Sequence, residues 1–187
     1  MKLTIIFLFI LVSLSAQEYQ VDKAKENLVK FISDAPIESF EGTTNNIDGY
    51  LYLTSFDDLT KNQLYFEVDL NTLDTGIGLR NRHMRENYLE TEKYRYAFFD
   101  GKIIEIKQEK DNEYSVLVEG DMNIHGKTKK LSISGKIINE KDLLRVKTNF
   151  DVSLSDYEVE IPKLMFMKIN EVIKLELNFY LKRFESN

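Results

Sequence analysis

The strongest pattern in this chain is a strict alternation of apolar and polar positions. Leu144, Val146, Thr148, Phe150, Val152 and Leu154 alternate with Arg145, Lys147, Asn149, Asp151 and Ser153. Ile173, Leu175, Leu177, Phe179 and Leu181 repeat the pattern against Lys174, Glu176, Asn178 and Lys182. Tyr114, Val116, Val118, Met122 and Ile124, with Gly120 in phase, give a third run, and Leu64, Phe66, Val68 and Leu70 a fourth. Successive side chains of a strand point to opposite faces, so a period of two predicts strands buried on one face. Weaker runs at 28–32, 49–53, 98–106 and 131–138 predict four more. Asp111-Asn112, His125-Gly126-Lys127 and Asn139-Glu140-Lys141-Asp142 sit between runs as hairpin-sized turns, which makes neighbours antiparallel. About eight such strands make a sandwich or a closed barrel. Long strands with a complete apolar face favour the barrel, because closure leaves no exposed edge.

One stretch breaks the period. Residues 78–92 set Arg80, Arg82, His83, Arg85, Glu86, Glu90 and Glu92 around Leu79, Met84, Tyr88 and Leu89. Met84 and Tyr88 are one helical turn apart, which predicts one or two helical turns inserted between strands. The expected class is therefore all-β with one short helical insertion.

Composition narrows the setting. Residues 3–12 are apolar except for Thr4, with Lys2 before them and Ser13-Leu14-Ser15-Ala16 after. A charged start, a short apolar run and small residues describe a secretory signal peptide of residues 1–16, too short to span a bilayer as a helix. Cleavage after Ala16 leaves Leu14 at −3, whereas cleavage after Ser15 puts serines at both specificity positions. An uncleaved interfacial anchor is the alternative. The remainder, residues 17–187, is long enough for one domain with a sizeable core. The expected location is the periplasm or the medium.

There is no cysteine, so disulfides, thiol catalysis, thiolate metal sites and lipid attachment at an N-terminal cysteine are excluded. The net charge of −6 becomes −7 when Lys2 leaves, which argues against a nucleic-acid partner. No later segment of the sequence reads as an integral membrane span.

Two motifs then stand out. The first is Asp74-Thr75-Gly76, followed by Arg80-Asn81-Arg82-His83-Met84-Arg85, Tyr88-Leu89, Glu92-Lys93-Tyr94 and Phe98. The second, more specific, is Gly120-Asp121-Met122-Asn123-Ile124-His125-Gly126-Lys127-Thr128-Lys129, which leads into an alternating strand. Together they resemble the signature of the YceI-like family, over roughly residues 19–182. The resemblance implies an exported, lipocalin-like, eight-stranded antiparallel β-barrel that holds isoprenoid lipids, such as polyprenyl phosphates or quinones, in an elongated apolar cavity. Asn81 stands where that family more often has Asp, and residues 31–49 depart from its pattern.

Candidate chemistry is sparse. Asp74-Thr75-Gly76 matches the tripeptide of aspartic proteases, but such a site needs two carboxylates sharing a proton, and one copy reads instead as a strand end with a polar turn. His83 and His125 are the only histidines and do not form a zinc-ligand spacing, so no metal is expected. His125 precedes Gly126 at a turn, where an imidazole can bond backbone carbonyls. Arg80, Arg82, His83 and Arg85 have two readings. Arginine forks at a cavity mouth hold a phosphate or quinone headgroup. Alternatively, Arg82 pairs with Glu86 and Arg85 with Glu90 along a solvated helical face. Arg80 and His83 are the ligand-contact candidates of this cluster. Alternation nominates Phe66, Val68, Val116, Val118, Phe150, Val152, Leu175 and Leu177 as inward-facing cavity residues, although it cannot tell a filled barrel from a hollow one.

The expected function is a non-catalytic carrier of a hydrophobic small molecule, with no cofactor. A solid-core barrel acting as a protein-interaction module in the cell envelope is the second reading, and an enzyme on the same scaffold the third. A second copy of the chain is an open partner.

Overall fold

The computed structural model describes residues 17–34, 39–161, 163–164, 167–168 and 170–185. The stretch read as a signal peptide, residues 1–16, lies outside the described residues, as do residues 35–38 of the divergent 31–49 region.

The strands are β1 (Gln17–Val21), β2 (Leu28–Ser33), β3 (Phe40–Thr44), β4 (Ile47–Ser55), β5 (Asp58–Asp69), β6 (Tyr96–Lys110), β7 (Glu113–Ile124), β8 (Lys127–Glu140), β9 (Leu143–Ser153), the two-residue β10 (Lys163–Leu164) and β11 (Met167–Lys168), and β12 (Val172–Arg183). The spatial order β1-β4-β5-β6-β7-β8-β9-β12 returns to its start, because β12 also pairs with β1. β2 and β3 extend the first two staves: β2 pairs with β12 on one side and with β3 on the other. The result is a closed barrel of eight antiparallel staves, two of them broken in the middle. β10 and β11 form a separate small hairpin.

The break between β1 and β2 costs the ladder little. Asp22 N–H donates to the Tyr180 carbonyl at 2.8 Å, and the Tyr180 N–H donates to Asn27 Oδ1 at 3.0 Å. Asn27 Nδ2 also donates to the Asp22 carbonyl at 3.0 Å. Asp22 and Asn27 thus occupy Tyr180 from the opposing strand and leave no backbone group of that residue orphaned.

Inward rows follow the alternation. Across the closing seam, Leu175 is registered with Phe31 on one side and Phe150 on the other. Gly101 and Gly120 face each other on β6 and β7, and Phe99 lies over both. A Cβ at either glycine would meet that ring at 2.9 or 2.8 Å, so the missing side chains make room for the aromatic one. One end of the barrel is solid. Val21, Leu53 and Leu144 are buried there, and Phe56 stacks on Tyr114 at 4.3 Å.

The opposite end carries the long connections. Between β5 and β6 come a 3₁₀ turn (Leu70–Thr72), helix α1 (Gly78–His83) and a widened π turn (Met84–Tyr88). Between β9 and β12 comes a second 3₁₀ turn (Leu154–Tyr157). Leu70 and Leu154, which continue the alternation, therefore open turns rather than end strands. No helix among the described residues is long and apolar enough to cross a membrane.

Candidate functional site: an open apolar cavity

The end with the long connections is hollow. A cavity of about 640 Å³ runs down from it, inside the range of small-molecule sites. All eight aliphatic and aromatic candidates stand in its wall: Phe66 and Val68 from β5, Val116 and Val118 from β7, Phe150 and Val152 from β9, Leu175 and Leu177 from β12. Period-two geometry accounts for this, since each pair lies two residues apart on one face of its strand. Arg80 and His83 join the wall from α1. Ile77 and Leu79 belong to the wall and are also 47% and 60% exposed, so the lining passes out to the surface there and marks the mouth.

The mouth is built by local polar bonds rather than by a buried core. Asp74 pairs with Thr43 through both backbone groups, each at 2.9 Å, which fastens the insertion to β3. Its carboxylate accepts from Gly76 N–H at 2.8 Å and from Asn81 Nδ2 at 2.7 Å. Asn81 Oδ1 in turn accepts from the Thr75 N–H and hydroxyl at 2.8 and 2.7 Å. These donors hold the Asp74 carboxyl below its ordinary range, the Asn81 amide first and the Gly76 N–H next. The tripeptide is a turn latch. Asn81 uses both ends of its amide here, which an Asp in the same place could not do.

The arginine cluster does not form the expected helical ion pairs. Arg85 Nη2 donates to the Leu73 carbonyl at 3.0 Å, while its Nε is buried without a partner. Glu90 is taken by Lys93 at 2.8 Å and by His125 Nε2 at 2.9 Å. The chain turns out of the helix after Tyr88, so Arg85 and Glu90 do not share a helical face. Arg80 lies 4.7 Å over the Phe40 ring, which itself meets Phe31 edge-on at 6.0 Å. Arg82 and His83 are exposed.

His125 was expected at a turn, bonded to a backbone carbonyl, and it is. With φ at +52°, it places Nδ1 3.2 Å from the Tyr157 carbonyl and Nε2 on Glu90, while Tyr94 packs on it edge-to-face at 4.6 Å. One imidazole thus joins the insertion, the β7–β8 hairpin and the turn after β9. Among the described residues, no three His, Cys, Asp or Glu side chains gather as a metal site would.

Sequence reasoning missed Tyr157. It is 2% exposed and part of the cavity wall, and its hydroxyl is buried with no partner. Burial, followed by the charge of Asp156, pushes its ionisation up to about 12, so the group is a neutral O–H. An unpaired buried donor costs about 1–3 kcal/mol. No signal in Ser155-Asp156-Tyr157-Glu158 marks it, because the turn belongs to no alternating run. Not every aromatic serves the cavity either. Tyr50 and Tyr65 stack at 6.2 Å on the outer face of β4 and β5.

Solved structures share this architecture. BcnA of Burkholderia cenocepacia superposes with a TM-score of 0.69 at 16% identity, over 86% of this chain and 98% of that one. A polyisoprenoid-binding domain from Saccharophagus degradans superposes at 0.70 and 15% identity, over 90% and 99%. The YceI protein of Campylobacter jejuni gives 0.59 at 14% identity, over 78% and 85%. At such identities the likeness concerns the fold. No curated protein sequence matches the chain significantly. A family model described as YceI-like domain matches residues 19–181. With the barrel and both motifs in place, the chain belongs to the YceI-like family.

Proposed function

We propose that this protein is an exported, non-catalytic binding protein that holds a hydrophobic ligand, an isoprenoid lipid or quinone, inside its barrel. The observation that carries this reading is the continuous apolar cavity opening at Ile77 and Leu79. Burying apolar surface there contributes roughly 25 cal/mol per Å² to binding. The hollow interior weighs against the solid-core interaction module. Among the described residues the wall contains no carboxylate to pair with His83, which disfavours a His–carboxylate catalytic pair in the cavity. Membership of the YceI-like family, and the polyisoprenoid-binding description of the S. degradans domain, support the same ligand class. Export rests on the residue 1–16 pattern.

The test is native mass spectrometry with organic extraction on the mature protein, purified from a lipid-containing host. A stoichiometric lipid is expected, and it should be lost in Val116→Trp or Phe150→Asp. A bare protein that takes up neither quinones nor polyprenyl phosphates would sink the proposal. Cell fractionation checks the location: a cytoplasmic, full-length product would remove the export part alone.

A further inference from the structure

Single exposed apolar residues are ordinary on a protein surface, whereas a concentration of them marks a contact. Among the described residues seven large apolar or aromatic side chains are exposed, and four of them, Ile77, Leu79, Tyr96 and Val172, lie at the open end of the barrel. Tyr96 and Val172 begin β6 and β12 there, opposite Asp69 and Ser153. Leu79 and Ile77 are the most exposed aliphatic side chains of the seven, and both also belong to the cavity wall.

The loop that carries them stands clear of the barrel. Ile77 sits between Gly76 and Gly78, and a Cβ at either glycine would meet nothing within 4 Å among the described residues beyond its chain neighbours. The loop is nevertheless fixed. The Asp74 carboxylate accepts from Gly76 N–H and from Asn81 Nδ2, and Asn81 N–H donates to the Ile77 carbonyl at 2.9 Å. Two apolar side chains are thus held out on a convex knuckle that has little freedom left to lose on contact. Helix α1, which follows, carries Arg80, Arg82 and His83 and no acid, in a chain of net charge −6. Arg82 is exposed and forms no ion pair among the described residues, not even with Glu86 one turn on.

A groove receives a protruding segment of a partner, whereas a knuckle enters something that yields. An apolar tip beside arginine matches the boundary of a bilayer, where acyl chains bury the tip and a cation meets phosphate. Resting on the carrier reading above, we propose that Ile77 and Leu79 insert into the surface of an anionic phospholipid bilayer, with Arg82 against the headgroups, and that the barrel exchanges its lipid while docked there. Because Ile77 and Leu79 are both rim and wall, insertion joins the cavity lining to the acyl region. A lipid then passes between them without crossing water.

The experiment floats delipidated protein with two kinds of vesicle, phosphatidylcholine alone and phosphatidylcholine mixed with phosphatidylglycerol. Wild type is expected to partition onto both and to prefer the anionic one. Ile77→Ser combined with Leu79→Ser is expected to weaken partition at least about tenfold, and Arg82→Gln to reduce the anionic preference about fivefold. The replaced side chains are exposed or half-exposed at the surface, so the variants are expected to melt with wild type, which separates lost docking from lost fold. The chain has no Trp, so Leu79→Trp places a lone reporter at the mouth and Tyr52→Trp another on the exposed surface of β4. Brominated acyl chains are expected to quench the first and not the second. Absence of partition onto either vesicle, which would leave a protein as the occupant of the rim, overturns the inference. So does equal quenching of both reporters, or partition that the double substitution leaves unchanged. A ubiquinone and farnesyl phosphate are offered in parallel without vesicles. Their uptake by a protein that never partitions overturns docking and leaves the carrier reading standing. Partition with no uptake of either lipid overturns the carrier reading, and the exchange step that rests on it.

Discussion

Single amide side chains do structural work that the backbone leaves undone. The β5–β6 ladder ends at Leu64 opposite Gly101. Beyond it, Asn62 Oδ1 accepts from Ile103 N–H at 2.6 Å and Asn62 Nδ2 donates to the Ile103 carbonyl at 3.1 Å. Ile103 is buried in the cavity wall, just before β6 shifts register. Asn62→Ala leaves both groups unpaired, and a loss of about 2 kcal/mol is expected in urea unfolding. Asn81→Asp, although it restores the more common family residue, brings a second carboxylate against Asp74. It should lower the melting temperature at neutral pH, with the loss relieved in acid, where one carboxyl is protonated. At this scale the sequence was legible where period two operates. The eight wall residues on β5, β7, β9 and β12 follow from alternation alone. Tyr157, Asn62 and Asn81 act through bonds to residues distant in sequence or lie outside any strand, and no local pattern marks them.

The elements that escaped sequence reading are those held by partners rather than by pattern. β1 begins Gln17-Glu18-Tyr19-Gln20, and β3 is Phe40-Glu41-Gly42-Thr43-Thr44; neither alternates. Each is a strand because β4 and β12, or β2, supply the ladder beside it. The helical insertion was legible from Met84 and Tyr88, but its ion pairing was not, because the chain leaves the helix before Glu90. That insertion is tied down by Glu90, whose carboxyl is held below its ordinary value of 4.5 by Lys93 first and His125 next. A carboxylate with a depressed folded pKa stabilises above its ordinary value, and the stabilisation is lost as pH falls through the lower folded value. Amides of residues 84–95 are therefore expected to exchange faster below about pH 4.5, ahead of the barrel strands, in a pH series of hydrogen-exchange measurements. Glu90→Gln should flatten that response. A barrel and an insertion that loosen together would refute it.

The whole molecule is a barrel packed at one end and hollow at the other, with no disulfide to hold it. An empty apolar cavity leaves its lining without partners on one side, so occupancy should matter to global stability. At one hundred times Kd, a ligand adds about 2.7 kcal/mol. For a domain of this size that corresponds to roughly 5–10 °C in Tm. Differential scanning calorimetry with and without bound lipid reads this directly, and no shift at saturating lipid would mean that the lipid does not bind the folded protein in preference to the unfolded chain.

The closing seam has a consequence in time. β12 is held by β9, its near neighbour in sequence, but also by β1 and β2, with Val21 opposite Leu181 and Val29 opposite Leu177. Pairings this remote in sequence make folding slow. They also cannot begin until the last strand has been made. A growing chain up to β9 has an open edge on both sides, and its apolar inner face is not yet enclosed. The barrel therefore has no early closed form, and the chain keeps its freedom to rearrange until its final strand arrives.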